Sequence, residues 1–266
     1  MISETVLVAP DAFKGTLCAP RVAGAIGRGL RWDKRLQTDL CPVADGGEGS
    51  TQVLLDHLGG TTHTEPVEDP LGRWITASFG LLADGDTAVV EVAKASGLAL
   101  LSERERDPFG ASSQGTGELI VAALQSGAST VLLAAGGSAS TDGGAGAIRA
   151  IKRAGGLGGA RIVVLCDVRS SFEQAPALYG PQKGADAPTL TRLNRRLREL
   201  ALRLPRDPSG VAMTGAAGGL AGGLWATFDA RLVPGAPYLL DAIGFQERLL
   251  RARAVVVGEG RMDRST

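Results

Sequence analysis

The sequence predicts an α/β protein, and three observations carry that expectation. A strand–loop–helix unit recurs along the chain, a hairpin signal interrupts it once, and acidic residues gather where apolar strands end. Helical crossovers between parallel strands account for the first, and a mixed sheet for the second. The third fits a ligand site, because open α/β sheets bind ligands beyond the carboxyl ends of their strands.

Taken in order, "TVLVA" (residues 5–9) is a β-branched apolar run, followed by Pro10 and a helical stretch from Pro20 to Leu30. "TDLCPV" reads as a second strand, and "EGSTQVLLDHLGG" as a helix ended by Gly59 and Gly60. After Pro70, "WITASFGLL" and "TAVVEVA" alternate like strands around the turn "ADGD", which places a domain boundary near Leu71. "GTGELIVAALQSGA" then reads as a helix, "TVLLAA" as a buried strand, and "AIRAIKRA" as the helix opened by the loop "GGSASTDGGAG". "ARIVVLCDV" and "RAVVVGEGRMD" are further strands, each beside an acid-bearing loop. The basic run "RLNRRLRELALRL" carries leucines at Leu193, Leu197, Leu200 and Leu204, the spacing of an amphipathic helix with a solvated charged face.

Between the second strand and its helix lies "VADGGEGS", with Asp45 and Glu48 among three glycines. A plain turn would explain part of it, since Gly, Asp and Ser favour turns and helix starts. The alternative is a backbone-lined loop that approaches an anion while its acids hold a divalent metal or accept a proton.

Composition narrows the function classes. Lys plus Arg and Asp plus Glu are each 28, so the balance gives no support to a nucleic-acid partner and favours a small molecule. Three widely spaced cysteines argue against a disulfide framework or a zinc site and fit a reducing cytoplasm. No basic leader precedes a long apolar stretch and no run is long enough to span a bilayer, so a soluble, non-membrane protein is expected. The 38 glycines cluster at the ends of apolar runs, as backbone-lined loops require.

Glycine-rich loops and acids suggest phosphates with Mg²⁺, but the common nucleotide signatures fail. "GASSQGT" has the glycine spacing of a P-loop with Thr116 where the lysine is needed, and no G-x-G-x-x-G occurs. The H-R-D and D-F-G pair of protein kinases and the G-x-S-x-G esterase elbow are missing as well.

What remains is a different set: "APDAFKGT", "VADGGEGS", "GGSASTDGGAG", "GPQKGAD", "GAAGGLAGGLWATF" and "GEGRMD". Together, from Val6 to the last residue, these strongly resemble the glycerate kinase family, which phosphorylates D-glycerate with ATP. The resemblance implies a Rossmann-like or flavodoxin-like parallel-sheet domain built from both chain ends, residues 1–70 plus 251–266, with a second mixed α/β domain, 71–250, inserted between them. It also implies a substrate cleft between the two, with ATP and Mg²⁺.

Such a kinase must grip a carboxylate, hold the nucleotide and bring a hydroxyl in line with the γ-phosphate. On that reading Lys14 meets the glycerate carboxylate or a phosphate. Asp45 accepts the hydroxyl proton or binds Mg²⁺, and Glu48 assists it or supplies first-turn charge to its helix. Backbone N–H groups at Gly136, Gly137, Ser138, Gly143 and Gly144 would cradle phosphates, while Asp142 ligates Mg²⁺ or caps a helix. Lys183 is a second phosphate contact or a turn residue, Arg261 a phosphate clamp, and Asp263 a catalytic group or metal ligand.

Three departures from the family pattern stand out. "LGGARIVVLCDV" follows "AIRAIKRAGG" almost at once, where the family carries several tens of residues more. Arg169, Ser170 and Ser171 replace the Asn-Pro-Leu usual after "CDV". The family pattern also continues past Thr266, so the first domain is expected to be incomplete, with a homo-oligomer as one assembly that would cover it. These departures favour the competing readings, an inactive family member that keeps only a ligand pocket or interaction surface. A kinase for another short hydroxy acid is a third.

Overall fold

The structure, a computed structural model, describes residues 4–13 and 15–260. Strand β1 (Glu4–Pro10) leads to helix α1 (Ala19–Leu30), strand β2 (Leu36–Leu40) and helix α2 (Ser50–Leu58). Strands β3 (Gly60–Glu68), β4 (Trp74–Leu82) and β5 (Thr87–Glu91) follow, then the short α3 (Val92–Ser96) and α4 (Gln114–Gln125). Strand β6 (Thr130–Ala134), α5 (Ala145–Arg153), β7 (Arg161–Cys166), α6 (Ala175–Tyr179) and α7 (Ala187–Ala201) form the middle. Helix α8 (Leu220–Phe228), β8 (Arg231–Pro234), α9 (Gly235–Ala242), α10 (Phe245–Arg251) and β9 (Ala254–Gly258) complete the described chain.

Local chemistry explains the ends of these elements. Helix α2 starts after Gly49 and stops at Gly59, both at positive φ, a region that glycine enters without the Cβ penalty. Asp186 caps α7 by accepting the Thr189 N–H at 2.9 Å, and Pro188 sits in the first turn, where its missing N–H costs nothing. Leu193 and Leu197 of α7 are fully buried, while Arg192 and Arg196 lie over the Phe109 ring. The basic run is therefore the outer face of an amphipathic helix, as its spacing predicts.

Two sheets result. The smaller runs β2-β1-β9, all parallel, and the larger β3-β4-β5-β6-β7-β8. Strands β3, β4 and β5 pair antiparallel, as the hairpin signal predicts for β4 and β5, whereas β5 through β8 are parallel. The boundary expected near Leu71 falls within the β3–β4 hairpin, whose nine-residue register runs from Gly60↔Leu82 to Glu68↔Trp74; the change of sheet comes at Gly59–Gly60.

The strands' period of two divides the core. Val90, Leu133 and Val164 face α4, α5 and α8 in one apolar cluster. Val89, Leu132 and Leu165 face the other way and join Leu7 and Ala9 of β1, Leu54 of α2 and Leu239 of α9 in a second. The two sheets thus share a core, and β5, β6 and β7 read as continuous apolar runs because both faces are covered. Val6 and Val8 point to the outer side of the small sheet, where Ala23 and Ile26 of α1 cover them.

Candidate active site

The loops that leave β1, β2, β5, β6 and β7 meet along one edge. After β1 the Phe13 N–H bonds the Leu17 carbonyl at 2.8 Å, and Asp11 accepts the Ala12 N–H at 2.6 Å. This loop and the start of α2 enclose a cavity of about 430 Å³, with Phe13, Leu17 and Val43 as apolar wall and Glu48, Gln52 and Lys94 as polar rim. Gly15 lines it too, whereas Lys14 lies outside the described residues.

The Asp45 loop is held from both sides. Asp45 Oδ1 accepts the Gly47 N–H at 2.8 Å, and Ser50 Oγ donates to the Gly47 carbonyl at 2.7 Å. A Cβ on Gly46 would lie 3.0 Å from Gly235 Cα, and one on Gly136 only 2.7 Å from Gly47 Cα, so these glycines let backbones from the two sheets touch. The N-terminus of α2 is served by Glu91 at the end of β5, whose Oε1 accepts the N–H groups of Gly49 at 3.2 Å and Thr51 at 2.8 Å. Glu48, one of the alternatives for that charge, is exposed on the cavity rim instead.

Across the Gly47–Gly136 contact, Gly136, Gly137 and Ser138 line a second cavity of about 390 Å³ with Asp167, Tyr179 and Lys183. Lys183 is 3% exposed, and its Nζ donates to Ser138 Oγ at 2.7 Å and the Ser140 carbonyl at 2.6 Å. Burial pulls its pKa down to about 7, against the opposing pull of the Asp142 and Asp167 carboxylates. The altered loop after β7 is well bonded: Ser170 Oγ and the Tyr179 hydroxyl are 3.0 Å apart, and Ser171 N–H donates to Gln174 Oε1 at 3.0 Å.

Asp142 is engaged by the surrounding scaffold. Its buried carboxylate accepts four hydrogen bonds at 2.8–3.1 Å, from the Ser113 N–H and Oγ and the N–H groups of Gly144 and Gly146. Three of these bonds fall on Oδ2 and one on Oδ1, and they tie α4 to the first turn of α5, the arrangement of the capping alternative. Gly143 and Gly144 pack within the same scaffold. A Cβ on Gly143 would strike Leu200 and Phe172, one on Gly144 would meet Leu220, and neither glycine lines the cavity.

The structure therefore brings together Asp45, Gly136, Gly137, Ser138 and Lys183, with Glu48 on the adjoining rim. Lys14, Arg261 and Asp263 lie outside the described residues. Sequence reading missed Asp167 and Glu91, although both end apolar strands, the signal that drew attention to the neighbouring acids. Among the described residues no group of three or more His, Cys, Asp or Glu is placed to hold a metal ion. Asp45 and Asp167 do flank the Gly47–Gly136 contact, each within 3.5 Å of a Cβ built there. Two such carboxylates fit Mg²⁺, which is commonly held by one or two of them plus substrate phosphates. Among the described residues no helix is long and apolar enough to cross a membrane.

The chain is similar to "Glycerate kinase" of Halalkalibacterium halodurans, 37% identical with 99% of this chain and 79% of the relative covered. It is also similar to "Glycerate 2-kinase" of Escherichia coli K12, 35% identical over 97% of this chain and 78% of that one. A crystal structure described as glycerate kinase 2 from Salmonella typhimurium LT2 superposes with a TM-score of 0.83 at 34% identity, covering 99% of this chain and 80% of the other. The Halalkalibacterium alignment spans 299 positions against a chain of 266, so the relative carries residues that are missing here. The family pattern matches in two pieces, residues 6–157 and 152–266, which meet where the sequence predicts a lost segment. The glycine-rich turn 155–159 closes that join, with four of its residues at positive φ. Matched over almost its whole length, the chain belongs to the glycerate kinase family.

Proposed function

We propose that the protein transfers the γ-phosphoryl group of ATP to the 2-hydroxyl of D-glycerate, giving 2-phosphoglycerate and ADP, as a kinase of the cytoplasm. The observation that carries this reading is the Gly47–Gly136 contact, where loops from two sheets bring acids and a buried lysine beside two adjoining cavities. Relatives named glycerate kinase support the reaction class, and the Escherichia coli relative, named a 2-kinase, supports the position of the hydroxyl.

In the transfer the substrate hydroxyl oxygen bonds to the γ-phosphorus, the bond to the bridging oxygen breaks, and the hydroxyl proton leaves. Asp45 is the acceptor for that proton, held in orientation by the Gly47 N–H. Backbone N–H groups of the 136–138 loop, with Lys14 and Arg261, would meet phosphate oxygens. Asp45, Asp167 and Asp263 are the carboxylates that would hold Mg²⁺, which when bound neutralises phosphate charge. We read the small and large sheets as the centres of two domains and the cleft between them as the active site.

The test is turnover of the purified 266-residue protein with ATP, MgCl₂ and D-glycerate, the product identified by ³¹P NMR. Formation of 2-phosphoglycerate is expected. No ADP release with D-glycerate, or a clear preference for L-glycerate, glycolate or lactate, would overturn the assignment.

A further inference from the structure

The 430 Å³ and 390 Å³ cavities differ in what they offer a ligand. The one above β1 and β2 has an apolar wall of Phe13, Leu17 and Val43, suited to a base or ribose face. The one at the ends of β6 and β7 is built around a cation. Lys183 Nζ has three N–H donors, and Ser138 Oγ and the Ser140 carbonyl take two of them. The ammonium is only 3% exposed, and with Asp142 and Asp167 as its neighbouring carboxylates it still has one N–H donor left for an acceptor bound in the cavity. Ser138 and Asp167 line the same cavity as polar groups.

We propose that the 390 Å³ cavity is the subsite for the acceptor acid, with Lys183 binding the carboxylate. This rests on the kinase reading above and moves Lys183 from the nucleotide to the acceptor. Left-handed backbone at Ala217 and Gly218, φ 52 and 66, forms the floor, and Leu98 and Val168 form apolar edges. The site therefore selects a short monocarboxylate with an adjacent hydroxyl. Burial lowers the Lys183 pKa to about 7, and a bound carboxylate favours its protonated form.

The experiment is Lys183→Met in the full chain, with KM for D-glycerate and for ATP measured separately and folding checked by circular dichroism. The glycerate KM is expected to rise roughly 10- to 100-fold, the range of a lost charged hydrogen bond, with the ATP KM within about threefold of wild type. Calorimetric titration of D-glycerate, without nucleotide, should weaken in parallel. Ser138→Ala, which removes only the orienting hydroxyl, should raise the glycerate KM several-fold and serves if the methionine variant does not fold. An active wild type in which these changes raise the ATP KM, or neither KM, overturns this inference and leaves the kinase reading standing. A wild type that turns over no hydroxy acid overturns both.

Discussion

Asp45 and Asp142 stand in two loops of similar composition, and their surroundings separate them. Asp142 has four donors around its carboxylate and is buried, so Asp142→Asn places an amide among N–H groups that need an acceptor. Urea denaturation should show a loss of roughly 3 kcal/mol, with the Mg²⁺ dependence of residual turnover unchanged. Asp45→Asn should instead leave stability close to wild type and lower kcat by ~10² to 10⁴, the usual contribution of a general base. Near-normal turnover would remove Asp45 from that role. Lys183 adds a pH signature. Its folded pKa lies near 7, below the ordinary lysine value of 10.5, so between those values the unfolded chain binds more protons and stability climbs with pH. Below pH 7 both states are protonated and the cost of burying the charge, with Asp142 and Asp167 as its neighbouring carboxylates, is felt in full. Denaturation of wild type and Lys183→Met from pH 6 to 9.5 should show the wild type gaining on the variant as pH rises through 7; parallel curves would contradict it.

At the scale of elements, the loop contact at Gly47 and Gly136 is the most sensitive point. Gly136→Ala forces a methyl to 2.7 Å from a backbone carbon, and neither loop can yield without parting the two sheets. Turnover is expected to fall at least tenfold while the secondary structure signal stays near wild type, since a displacement of about 1 Å in a site costs as much as 10²-fold. The same scale shows what the sequence could and could not say. Elements with their own apolar period, such as α2, α4, β6 and β7, were legible, as were the strand-end loops that carry Asp45 and Gly136 and the turn between α6 and α7 that carries Lys183. Strand β3 was not, because "GTTHTEPVE" is an outer strand with only Val67 buried, and its place is set by pairing with β4. Nor could sequence tell Gly136, which lines a cavity, from Gly143, which packs against Phe172 and Leu197 across more than twenty residues of chain. Asp167 and Glu91 were passed over because each is a single acid without flanking glycines, and only the sheet geometry brings them to the site.

For the molecule as a whole, the question is whether the two sheets behave as one cooperative body. Their shared core joins Leu7 and Ala9 of the small sheet to Val89, Leu132 and Leu165 of the large one, and Leu54 and Leu239 fill the space between. No solvent layer separates these side chains, all of them at most 4% exposed, so unfolding one sheet strips cover from the other. A single transition is expected in calorimetry, with the van't Hoff enthalpy equal to the calorimetric one. Glu91 is the polar counterpart of that core. From β5 it binds two N–H groups of α2, and its Oε2 is buried with no hydrogen-bond partner among the described residues. Glu91→Ala leaves those two N–H groups unpaired and should cost about 1–3 kcal/mol. Glu91→Gln keeps an oxygen for them and should cost less, and it should retain more of the turnover. If alanine and glutamine prove equally harmless, the joint between the sheets is carried by apolar packing alone. If the wild type melts in two steps, the common core does not couple them, and a cleft defined by loops from both sheets would lack the fixed geometry that phosphoryl transfer requires.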